Sequence, residues 1–169
     1  MTRDEVLGHV LSCFDATYRV LGESAPRLTN DAYVVCAYEM GRSYGEVALE
    51  LREVLETENV EPLAIIEAVL GHAVLADETG AMALYAVAMV VGPRVLVTLL
   101  DARPHMEGDP RALGVLDHAA EVCVAQMHRV GEAAKSQPPI EDPSWQAAAR
   151  DLTITLESAG NTESFGLTR

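Results

Sequence analysis

The sequence predicts an all-α fold, a single-domain bundle of five or six helices. Three observations carry that prediction. Apolar residues recur at helical spacing along most of the 169-residue chain. Helix start signals stand where those runs begin: Thr2 with Glu5, the Asp109-Pro110 pair, and Ser144. The one valine-rich stretch, 94–100, finds no partner strand elsewhere, and a lone strand forms no sheet, so it too reads as helix. The chain is long enough to bury a sizeable core without staples.

The first helix opens on a capping box of Thr2 and Glu5. Val6, Leu7, Val10, Phe14, Thr17, Tyr18 and Leu21 share one face, and Gly22 is expected to end it, giving a span of 3–21. Pro26 sits in the connection, and Thr29 or Asn30 caps the second helix. There Tyr33, Ala37, Met40, Tyr44, Val47, Ala48, Leu51, Val54 and Leu55 form one stripe, with Glu39, Glu46, Glu50 and Glu53 opposite.

Within that helix the stretch YEMGRSYGEVALEL, Tyr38 to Leu51, also has the pattern of a helix-turn-helix, with Gly41 at the turn and Ser43 as the next cap. A turn there would break the phase of the apolar stripe, and the stripe passes through unbroken. The segment that follows carries Glu53, Glu56, Glu58 and Glu61 where a DNA reader needs basic residues. One long helix is therefore expected. Ala37, Gly41, Gly45 and Ala48 supply a small-residue groove for close helix packing.

A third helix is expected over 61–77, with Pro62 in its first turn and Leu63, Ile66, Val69, Leu70, Ala73 and Val74 inward. The next, about 81–101, is apolar all round and kinked at Gly92-Pro93. It is long enough to span a bilayer. However, Arg94 lies within it, and a charge there costs about 2.5–3.5 kcal/mol on insertion scales. No Lys/Arg cluster flanks it, so a buried central helix is expected rather than a membrane span. The run DARPHMEGDP reads as a loop. A fifth helix follows over 111–135, with Leu113, Leu116, Ala119, Ala120, Cys123, Met127 and Val130 inward. After the linker SQPPIEDP, Ser144 caps a last helix in which Trp145, Ala148, Ala149, Leu152 and Leu156 share a face. The helical domain is thus read as 1–159, and 160–169 as a disordered tail.

The chemistry on offer is sparse. The formal net charge is −14, and Lys135 is the sole lysine. A polyanionic surface repels phosphate backbones and anionic lipid, so neither nucleic acid nor membrane is an expected partner, whereas a basic protein is. Cys13, Cys36 and Cys123 are widely spaced, without CxxC pairing, and no secretion signal opens the chain; both point to a reducing, cytoplasmic setting. His118 and Glu121 have the spacing of helix-borne metal ligands, yet with His128 they fall on a solvated face, so no metal site is expected. His72 diverges from Glu67, while His9 and His105 lack a nucleophile at useful spacing. No dinucleotide, P-loop, zincin or hydrolase motif occurs, and no cofactor is expected.

The expected function is accordingly a non-enzymatic helical interaction or regulatory protein that self-associates as a homodimer. The apolar helical surface exceeds what a thin bundle buries, and symmetric dimers are the commonest assembly. One alternative is a small-molecule-binding bundle whose pocket is lined by Tyr18, Tyr33, Tyr44 and Trp145, aromatic bodies with polar tips. The other is the helix-turn-helix DNA binder.

Overall fold

The computed structural model describes residues 1–56, 81–135, 143–158, 165 and 167. The helix expected over 61–77, with Leu70 and His72, lies outside them. Every regular element among the described residues is helical.

Helix α1 (Arg3–Ser24) begins on the expected capping box: the Glu5 N–H donates to Thr2 Oγ1 at 3.2 Å and the Thr2 N–H to Glu5 Oε2 at 2.6 Å. It runs past Gly22. That glycine is exposed with open space around it, while Leu21, Ser24 and Ala25 beside it are buried. Packing on both sides overrides the weak propensity of one glycine. Pro26 instead ends the α-helix, within a 3-10 turn over Ala25–Arg27, because proline donates no backbone hydrogen bond.

Helix α2 (Asp31–Val54) is capped by Asn30, whose side-chain oxygen accepts from the N–H groups of Ala32 and Tyr33 at 3.0 and 3.3 Å. It continues without interruption through Gly41, Arg42 and Ser43. The turn that a helix-turn-helix requires is therefore absent from this stretch. The row Tyr33, Ala37, Met40, Tyr44, Val47, Ala48, Leu51 and Val54 is buried throughout, as the stripe predicts.

The next helical rod has three parts: α3 (Ala81–Ala86), a π-helical stretch (Val87–Val91) and α4 (Gly92–Ala102). The sequence predicts a proline kink here, and the structure shows how the chain accommodates it. Pro93 lacks the N–H that would continue the α-ladder. One turn earlier the backbone widens, so that the Gly92 N–H reaches the Val87 carbonyl. The Arg94 guanidinium folds back and donates to the Val90 carbonyl at 3.0 Å. Among the described residues one helix, Leu84–Met106, is long and apolar enough by length and composition to cross a membrane. In this fold the rod touches α1, α2 and two further helices.

Those two are α5 (Pro110–Lys135) and α6 (Pro143–Ser158). The run before α5 is only partly loop: a 3-10 turn over Arg103–Met106 leads to Gly108, whose φ of +88° is a conformation that favours glycine. Asp109 then caps α5, accepting from the Ala112 N–H at 3.0 Å. The buried row on α5 is Ala112, Leu116, Ala119, Cys123, Gln126, Val130 and Ala134. Gln126 therefore stands where the apolar pattern points to its neighbour Met127.

Helices α1, α2 and α5 form an antiparallel layer with α2 in the middle. On one side Arg52 pairs with Asp15, and the Arg3 guanidinium reaches the Val54 carbonyl at 2.8 Å. On the other side a ladder of polar contacts runs along α2 and α5: Glu53 with Arg111, Glu50 with His118, Ser43 with Gln126, and Glu39 with Arg129. Surface pairs of this kind are each worth about 0–1 kcal/mol, so they fix register more than they stabilise. The α3–α4 rod covers the inner face of this layer. That leaves the outer face of α2 at its centre.

Candidate functional site

The outer face of α2 holds large apolar side chains that the fold does not cover. Val35, Tyr38 and Leu49 are 55%, 64% and 61% exposed. Across the α1–α2 boundary Tyr18 is 50% exposed, and its ring lies over Gly45, where an added Cβ would sit 3.4 Å from the ring edge. Gly45 is thus a small residue that admits a side chain from α1 to the surface.

Beside this row lies an open groove of about 470 Å³, lined by Tyr18, Gly45, Leu49, the arginines Arg19, Arg42 and Arg52, and the carboxylates Asp15 and Glu46. In a chain with 12 basic and 26 acidic residues, three arginines against two carboxylates make this groove less acidic than the rest of the surface. Arg42 pairs with Glu46 one turn on at 2.9 Å, and Arg52 with Asp15. The surface is therefore mixed: apolar along the ridge, with paired charges at its flank.

The four aromatic residues singled out in the sequence go to different places. Tyr44 is a core residue, its ring 5.1 Å from that of Phe14 and its hydroxyl 3.7 Å from the Cys123 sulfur. Tyr33 is buried near the start of α2, and its hydroxyl has no hydrogen-bond partner among the described residues. Tyr18 lines the outer groove, and the side chain of Trp145 lies outside the described residues. Tyr18 and Tyr44 thus face opposite sides of the α1–α2 pair. Of the small residues, Ala37, Gly41 and Ala48 are buried, and a Cβ at Gly41 would meet nothing within 4 Å.

His9 and His118 are held by structural contacts. His118 Nδ1 lies 2.8 Å from Glu50 Oε2, so it turns to α2 rather than to Glu121. His9 is directed at the Phe165 carbonyl; burial pushes its pKa down, and the bond to that carbonyl acts in the opposite direction. The Phe165 N–H in turn donates to Thr98 Oγ1 at 2.8 Å, and the ring is buried. All three cysteines are free and buried. Burial pushes the Cys123 thiol up to about 12, and Cys13 higher still, so neither supplies a thiolate at neutral pH. Among the described residues no three His, Cys, Asp or Glu side chains gather closely enough to hold a metal ion.

The sequence pattern places Tyr18 inward with the core row of α1, counts Tyr38 only among the aromatic residues that leave a ligand-binding alternative open, and gives Val35 and Leu49 no part. The signal for them was available. Their numbers fall at helical spacing on the side of α2 opposite the core stripe, where an acidic helix would ordinarily carry charge. Comparison with known protein families, with curated proteins and with solved structures finds no match to this chain.

Proposed function

We propose that this chain is a non-enzymatic helical interaction protein that docks a protein partner on the outer face of α2. The observation that carries the reading is the exposed row Val35, Tyr38 and Leu49, with Tyr18 beside it. Exposed large apolar side chains interleaved with arginine fit the anatomy of a protein contact, where tyrosine and arginine are enriched. The inert thiols and the histidines engaged with structural partners support a binding role over a catalytic one. The free cysteines also support a reducing, cytoplasmic setting. The acidic balance elsewhere favours a cationic protein as any second partner, and disfavours nucleic acid and anionic lipid.

A photo-crosslinking residue placed at Tyr38 tests this in cells, with the same residue at Val124, exposed on α5, as the control. Protein adducts are expected from position 38 and not from position 124. No adduct at position 38 removes the reading. The groove beside Tyr18 supports a second reading, capture of a small amphipathic anion between the ring and the arginines. In that case Gly45→Ala, which pushes on the Tyr18 ring, weakens ligand binding and leaves the adducts at position 38 unchanged.

A further inference from the structure

The partner for this face is, we propose, a second copy of the same chain, laid antiparallel along α2 about a two-fold axis that passes between Arg42 and Gly45. The proposal rests on the interaction reading above and names its occupant. It is carried by the order of residues on the outer face. Val35, Tyr38, Arg42, Gly45, Leu49 and Arg52 follow one another in alternating steps of three and four residues. That is the spacing of a seam along which two helices pack side by side, held for about 26 Å of α2.

The row is also complementary to its own reverse. With the axis between Arg42 and Gly45, Tyr38 meets Leu49 of the second copy, Arg42 meets Gly45, and Val35 meets the stem of Arg52. Each level is repeated by symmetry, as an isologous contact requires. Apolar residues meet apolar residues at the Tyr38–Leu49 levels. At the centre the Tyr18 ring covers Gly45, and the Arg42 of the opposite copy lies over that half-exposed ring, a favourable seat for a guanidinium. Glu46 of that copy is one residue further along the helix. Arg42 exchanges its own Glu46, at 2.9 Å in the isolated chain, for the one across the axis. A helix row placed at random has no reason to pair apolar with apolar at its flanks and cation with anion at its centre in both directions.

Net charge opposes the union of two acidic chains. At about 0.15 M salt, charges more than about 8 Å apart are largely screened, so the contacts at the seam outweigh the repulsion of the distant surface. Arginines within the seam make the dimer a reversible one, because a polar residue at such a position lowers stability while it fixes register.

Sedimentation velocity on the full chain, from about 1 to 200 µM, tests the proposal. The wild type is expected to shift from monomer to dimer across that range and to go no further. Leu49→Arg, an exposed position, keeps the fold and is expected to weaken association at least tenfold. Arg42→Glu sets carboxylate against carboxylate and does the same. Adding Glu46→Arg to Arg42→Glu reverses both charges and restores the dimer. A wild type that stays monomeric, a dimer indifferent to Leu49→Arg, or a double variant that fails to recover each overturns the proposal. If the chain is monomeric yet the crosslinker at position 38 captures a different protein, the second-copy proposal falls and the interaction reading stands. If position 38 captures nothing as well, both fall.

Discussion

Both faces of α2 hold tyrosine, valine and leucine and put them to opposite uses. Inward, Tyr44 is 1% exposed and its ring packs tilted against Phe14; outward, Tyr38 is 64% exposed. Inward, Leu51 and Val47 fill the core; outward, Leu49 and Val35 are left more than half exposed. Tyrosine, valine and leucine occur in both rows, and phase decides which of them are buried. The inner row is the one α1, α5 and the α3–α4 rod cover, and the outer row is left at the centre of the layer. An apolar row that the fold positions but does not cover points to a contact beyond the fold.

The largest effect expected on this comparison is at Tyr44. Tyr44→Ala leaves a cavity against Phe14 and strands the Cys123 thiol, and it is expected to cost about 3–5 kcal/mol in urea unfolding. A loss below about 1 kcal/mol there would mean that the inner row is not the core. Next comes a matched pair of glycines. At Gly92 a new Cβ would lie 3.0 Å from Met127 Cγ and Sδ, close to the stem of that side chain, so Gly92→Ala is expected to cost about 1–3 kcal/mol. Adding Met127→Ala should remove the steric part of that cost. At Gly41 nothing lies within reach of the new methyl, and Gly41→Ala is expected to stabilise by up to about 1 kcal/mol through helix propensity alone. A destabilising Gly41→Ala would place a turn, and a glycine-requiring backbone, where α2 is continuous. The smallest effect belongs to the outer row: Tyr38→Ala, measured at concentrations where the chain is monomeric, should change stability by less than about 0.5 kcal/mol. The inner and outer tyrosines then differ severalfold in folding and in the reverse order in association.

Most of the architecture was legible because local signals agreed with one another. The Thr2–Glu5 capping box, the Asp109-Pro110 start and the phase of α2 through Gly41–Ser43 each specify a backbone that the structure adopts. What escaped the sequence depends on neighbours. Gly22 fails to end α1 because Leu21, Ser24 and Ala25 are buried around it, and only the packed chain reveals that. Tyr18 belongs by phase to the flank of the α1 stripe, and the absence of a side chain at Gly45 lets it turn outward. Gln126 takes a buried position because Ser43 across the layer offers its amide a partner at 3.2 Å. Phe165 has no periodic context at all, and its anchors, His9 and Thr98, are remote in sequence. The candidate surface was the least legible part. A search for core stripes discards the opposite face, and Val35, Tyr38 and Leu49 fall into that discarded set.

The central claim, that the outer row of α2 is covered by the same row of a second copy, is tested most directly by a cross-link. The double variant Tyr38→Cys with Leu49→Cys places two thiols about 16 Å apart along one helix, beyond the reach of a disulfide within a chain. Across the proposed two-fold axis they face each other, and the native Cys13, Cys36 and Cys123 are buried and stay out of the reaction. Mild oxidation is expected to yield a covalent dimer and nothing larger, with little product from either single cysteine variant. Failure of the double variant to cross-link at concentrations where the wild type is dimeric, or a ladder of higher oligomers, would contradict the account.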